Sequence, residues 1–217
     1  MRKNPQNILQ FKLNIVNLHI KKMNEQQQWS ENVILVDADY IDKVAFNLIV
    51  NFERMLGRRI PQADMARWVD CIALDGGIRE GNNSMQVILV YDKAKTELEN
   101  FTPSSLNAEL DGKAFKDHLG EFTFSALPVE EMVDKEHLFC DSLMHICSQK
   151  GIKRVMVVPN AEQYFDGIRR SLKNADDEKR ITVFAMQPMP GGNFRQEILG
   201  YSIMNALGIR GEEIMEG

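Results

Sequence analysis

Carboxylates that end buried strands are the residues of this chain with the most chemistry to offer. Asp37 closes the aliphatic run Val33-Ile34-Leu35-Val36 and is followed at once by Ala38 and Asp39, and Asp92 closes the run from Met85 to Tyr91 in the same way. Carboxylates at the carboxyl ends of neighbouring parallel strands converge on one point and can share a hard cation such as Mg or Mn. A cation held there activates water for attack on a phosphodiester and neutralises charge building on the phosphoryl oxygens. The same aspartates can instead cap the helix or turn that follows each strand, which needs no ligand. Spacing alone leaves both readings open.

Three further groupings carry chemistry. His137, Asp141 and His145 fall at i, i+4 and i+8 of a helical pattern, so they line one stripe that is either a transition-metal ligand set or a solvated helix face. Gly191, Gly192 and Asn193, with Arg195 just beyond, offer backbone N–H groups to an anion at a predicted helix start. Their other reading is a turn in which Asn193 caps that helix, and either way they are expected beside the Asp37 crevice. Lys43, Arg54, Arg58, Arg59 and Arg67 on the first two helices, and Arg169, Arg170 and Lys173 further on, are phosphate contacts only where they face one groove. Cys71, Cys140 and Cys147 are odd in number and widely spread, with Cys140 and Cys147 at a heptad spacing. That pattern suits reduced, buried thiols in a cytoplasmic protein better than a disulfide framework or a zinc site.

These residues need a scaffold, and the chain supplies one by alternating short apolar runs with longer helical segments. Strands are predicted over 33–37, 85–91, 121–127, 153–158 and 181–186, and helices over 41–56, 61–75, 129–150, 162–172 and 194–207. The fold class is α/β, a three-layer α/β/α sandwich around a mainly parallel sheet of about five strands. With 217 residues, 44% hydrophobic and 26% charged, the chain builds one well-buried core. A formal charge of −5 argues against a protein that grips nucleic acid by bulk positive charge, though not against a local basic patch.

Residues 1–30 form an extension lacking the uninterrupted apolar core and small-residue cleavage site of a signal peptide. Met23 opens its polar second half and is an alternative start. Residues 31–210 are the single domain. The acidic tail 211–217 either stays disordered or docks on a neighbour. No membrane segment is predicted.

The segment Ile34-Leu35-Val36-Asp37-Ala38-Asp39-Tyr40, with the apolar helix after it, resembles the opening of the NYN domains, a branch of the PIN-like nuclease superfamily. Leu138-Phe139-Cys140-Asp141-Ser142-Leu143, leading into Val155-Met156-Val157-Val158, is similar to that family's helix-to-strand passage. The resemblance implies a PIN-like fold and a Mg- or Mn-dependent ribonuclease site in which Asp37 and Asp141 are catalytic. Asp37, Asp39, Asp92, Asp141 and Glu162 would be the metal ligands, and Asp37 and Asp141 are expected to approach each other within about 8 Å.

NYN domains carry Ser-Gly-Asp-x-Asp-Phe after the fourth strand, and this chain reads Pro159-Asn160-Ala161-Glu162-Gln163-Tyr164 there. The two aspartates fall on Ala161 and Gln163, which leaves Glu162 one residue out of register. The resemblance therefore implies a divergent member with an incomplete acidic site, which binds RNA, a nucleotide or a protein partner without efficient catalysis. Its alternative is the ribonuclease itself.

Overall fold

The computed structural model describes residues 29–215 apart from 132 and 174. In chain order the elements are β1 (Asn32–Asp37), α1 (Ala38–Leu56), β2 (Ala63–Asp64), α2 (Met65–Asp75), β3 (Asn83–Asp92) and β4 (Phe101–Thr102). A π-helical turn (Leu106–Leu110), β5 (Ala114–Lys116), β6 (Gly120–Val129), α3 (Lys135–Ser148) and β7 (Arg154–Val158) follow. The chain ends with α4 (Ala161–Leu172), β8 (Arg180–Ala185), β9 (Arg195–Ile198), α5 (Leu199–Ala206) and α6 (Gly211–Met215).

Among the described residues the main sheet has seven strands in the order β5-β6-β3-β1-β7-β8-β9, and every neighbouring pair is parallel except β5 with β6. Val33 to Val36 are fully buried because β1 lies at the centre with both faces covered. Alternation along the strand sends Ile34 and Val36 into a core built with α1, α2 and α5. Val33 and Leu35 enter a second core, built with α3 and α4, on the other face.

All five predicted strands are present, but the expected count was too low. β5 and β9 extend the sheet at its two edges, and β2 pairs with β4 in a separate two-stranded ribbon. Edge strands need no buried face: Arg195 and Gln196 of β9 are exposed, and β5 runs exposed, half-buried, exposed. The helix predicted over 194–207 is accordingly two elements, β9 and then α5.

The helix predicted over 129–150 begins only at Lys135, because Leu127, Pro128 and Val129 continue β6 opposite Val90, Tyr91 and Asp92. Pro128 is tolerated there because β5 covers β6 only at Glu121 to Thr123, so the ladder loses no bond on that side. The acidic tail docks within the described residues: Glu213 accepts from Arg58 Nη2 at 2.8 Å and from the Arg210 backbone N–H at 2.9 Å. Residues 1–28, Met23 among them, and 216–217 lie outside the described residues. No helix among the described residues is long and apolar enough to cross a membrane.

Asp70 on α2 faces Asp117, which precedes β6, so two carboxyls meet in a half-buried place. Burial first, then Asp117, push Asp70 up to about 7. A carboxyl whose folded pKa exceeds its unfolded value costs nothing below about pH 4, and the cost grows until the pH passes the folded pKa. Asp70→Asn, which donates to Asp117 without ionising, is expected to raise the melting temperature at pH 8 and to leave it unchanged near pH 4. Thermal melts of both proteins across that range check the sign.

Candidate functional site

Asp37 is the last residue of β1, between β3 on one side and β7 on the other. The chain goes one way from β1 and later returns to the opposite side, so the carboxyl end of β1 is a topological switch point, where open α/β sheets form their crevice. Asp37 is 1% exposed there. Its Oδ1 accepts from the Tyr40 backbone N–H at 3.1 Å, so the capping reading holds. The same oxygen is 2.5 Å from Lys135 Nζ, so capping is only part of what this carboxylate does.

Lys135 is the first residue of α3, and its ammonium also bonds to Asp39 Oδ2. Asp39 lies in the first turn of α1, and the same oxygen accepts from the Asp92 backbone N–H at 2.9 Å. One ammonium thus joins two carboxylates, one buried and one nearly so, at the point where two acids of a metal site would hold a cation.

Two tyrosines close the crevice. Tyr164 of α4 is buried with its hydroxyl toward Asp37, and burial first, then the Asp37 charge, push its phenol well above its ordinary value. Tyr40 is pushed up to about 12, by burial and then by Glu162. Both phenols therefore keep their protons at neutral pH and wall the crevice.

The predicted ligands meet only in part. Asp37 and Asp39 converge, but on Lys135. Asp92 reaches them through its backbone N–H, while its own Oδ1 caps a turn by accepting from Ala94 N–H at 3.0 Å. Glu162 stands in the first turn of α4 and acts on Tyr40. Asp141 is six residues beyond Lys135 on α3, about 9 Å of helix rise, and its charged neighbour is His137, one turn back. Ala161 is buried and Gln163 exposed, the latter accepting from Asn160 Nδ2 at 2.9 Å.

Among the described residues no group of three or more His, Cys, Asp or Glu side chains stands where a metal ion could be held. The donor set at Asp37 and Asp39 does not fit Mg or Mn, because the ammonium supplies the positive charge a metal would bring. On the His137 stripe, His137 Nδ1 lies 3.6 Å from Asp134, and His145 packs its ring on Trp29.

Gly191, Gly192, Asn193 and Arg195 were expected beside this crevice, and the structure places them away from it. The first three precede β9, a parallel strand that Arg195 begins, so all four lie at the opposite end of the sheet from Asp37. The three cysteines are free. Burial pushes Cys140 and Cys147 up to about 11, so neither is a thiolate nucleophile.

Lys135 and Tyr164 were missed in the sequence. Lys135 had one signal: a cation in the first turn of a helix opposes the macrodipole, so it needs a carboxylate partner from elsewhere. Tyr164 had a weaker one, an aromatic on the apolar face of α4.

Fold and site together define an α/β protein with a mostly parallel sheet and a lysine-bridged carboxylate pair at its switch point. A family model spanning residues 26–214, from before β1 to within α6, matches the chain. The chain belongs to DUF6621, a family of unknown function. No curated protein matches the chain, and no solved structure does.

Proposed function

We propose that this chain is a divergent PIN/NYN-like domain that binds a phosphate-bearing ligand, RNA or a nucleotide, without cleaving it. The observation that carries this reading is Lys135 between Asp37 and Asp39. A PIN-like nuclease would need that volume for a divalent ion, and an ammonium cannot polarise a water or bind a phosphoryl oxygen as a Lewis acid. The central position of β1 and the place of Asp37 at its carboxyl end agree with the resemblance read from Ile34 to Tyr40. Ala161 and Gln163, where the family's aspartates belong, point the same way.

Labelled single-stranded RNA incubated with magnesium or manganese tests this reading. The protein is expected to retain the RNA or a nucleotide and to leave the strand intact, with Asp37→Asn behaving alike. Cleavage that disappears in Asp37→Asn would restore the ribonuclease.

The crevice itself supplies a second measurement. Lys135→Ala removes the resident cation and leaves two carboxylates to attract a divalent ion. Manganese is expected to raise the melting temperature of that variant and to leave the native protein unmoved. An equal rise in both would mean that the ion binds elsewhere.

A further inference from the structure

A cavity of about 1270 Å³ lies at the end of the sheet opposite Asp37. Eight of its lining residues are arginine or lysine and three are aspartate, a strong local excess of positive charge on a chain whose formal charge is −5. Its floor is made by the amino ends of three adjacent strands, each of which begins with arginine: Arg154 on β7, Arg180 on β8 and Arg195 on β9.

Arg154 and Arg180 are direct partners in the parallel register. Like charges opposite each other on neighbouring strands are destabilising, so folding alone gives no reason for them. Arg79 joins them from the segment after α2, and burial together with Arg180, Arg195 and Arg79 makes the Arg154 guanidinium easier to deprotonate than an isolated one.

The backbone is shaped around this cluster. Arg154 Nη1 donates to the Gly76 carbonyl at 2.5 Å. Gly77, at φ 89, leaves the space that Arg154 fills: a Cβ there would stand 2.7 Å from Arg154 Nη1 and 3.7 Å from Arg195 Nη1. Arg195 is partnered by Glu197 at 2.9 Å. Among the described residues Arg79, Arg154 and Arg180 form no ion pair with a carboxylate. Two of the three aspartates are already engaged, Asp176 with the Glu178 N–H and Asp177 with Asn193 Nδ2. Arg170, exposed on α4, and Lys173, exposed just past its end, line the cavity further along.

We propose that this cavity is a binding site for a compact polyphosphate group, with Arg79, Arg154 and Arg180 as its principal contacts. Guanidinium groups suit phosphate because each presents two parallel N–H donors to two oxygens. A cluster in which Arg79, Arg180 and Arg195 all act on Arg154 within one cavity, rather than a line of cations along a face, favours adjacent phosphates over a stretched backbone. The volume exceeds what small ligands usually need, so a nucleoside fits alongside its phosphates. The site is separate from the Lys135 crevice, and the two can fail independently.

Calorimetric titration of the full chain with inorganic tripolyphosphate, a nucleoside triphosphate and single-stranded RNA tests it. Arg79→Glu/Arg180→Glu changes two exposed side chains and should fold normally, which circular dichroism checks. Lys43→Glu reverses a charge outside the cavity. Both phosphate compounds are expected to bind the native protein, to lose on the order of tenfold or more in the double variant, and to bind Lys43→Glu unchanged. Tighter binding of the nucleoside triphosphate than of tripolyphosphate would identify a nucleotide as the source, and equal binding the bare polyphosphate. Absence of binding of both to the native protein, an equal loss in Lys43→Glu, or RNA as the only ligand affected by the double variant would each overturn the assignment.

Discussion

Lys135→Met is expected to lower the stability of the folded protein by about 3–5 kcal/mol, the usual cost of removing one partner of a buried ion pair. Methionine keeps most of the lysine's length and volume, so the loss is electrostatic rather than a cavity. Asp37, 1% exposed, keeps its cap on Tyr40 but loses the ammonium that offsets its desolvation. Asp39 keeps the Asp92 N–H and is less affected. A loss of this size corresponds to a fall in melting temperature on the order of 10 °C.

The pH dependence of the variant separates this cause from a packing defect. Without its ammonium, Asp37 is a buried carboxylate with no counter-charge, and burial disfavours the charged form, so the penalty is largest at neutral pH and shrinks in acid. Urea denaturation of native and variant protein at pH 7 and near pH 4.5 measures both numbers. A gap that stays constant with pH would mean that the aliphatic stem of Lys135 matters and its charge does not. Asp37→Asn/Lys135→Met, which removes both charges, is expected to recover much of the loss.

The crevice and its contents were not equally legible. Val33 to Val36 and Val155 to Val158 announce buried central strands because both faces of each are covered, and a run of β-branched residues has no other common use. That fixed where Asp37 would stand. β5 and β9 were missed because they lie at the edges, where Ala114 to Lys116 and Arg195 to Ile198 carry no apolar run. Missing β9 had a functional consequence. Read as a helix start, Gly191 to Arg195 went to the carboxyl end of the sheet, whereas one more parallel strand moves them to the amino end, beside Arg154 and Arg180.

Lys135 illustrates a different limit. Reading along the chain pairs acids with acids when a metal is the expected cation. The cation here is a side chain nearly a hundred positions from Asp37, brought in only because α3 crosses over β1.

Gly120→Ala is expected to cost more than about 4 kcal/mol, beyond the range of ordinary substitutions. Gly120 begins β6 at φ 142, a conformation essentially confined to glycine. A Cβ there would lie 2.1 Å from the Asn83 carbonyl oxygen and 2.7 Å from its backbone nitrogen. Those atoms belong to β3, whose register with β6 starts at this very pair, so the clash cannot be relieved by a side-chain rotation. Asn83 Nδ2 also donates to the Leu119 and Arg79 carbonyls, so pushing β6 away would loosen the segment that carries Arg79 toward the basic cavity.

Gly57→Ala supplies the contrast. Gly57 is also left-handed, at φ 63, but a Cβ there meets nothing within 4 Å, so only conformational strain of about 1 kcal/mol is expected. Denaturation midpoints of the two variants tell strain from collision. Similar losses would mean that backbone conformation dominates at both sites. A loss at Gly120 several times that at Gly57 would mean that the close approach of β3 to β6 is what the glycine protects, and with it the position of Arg79.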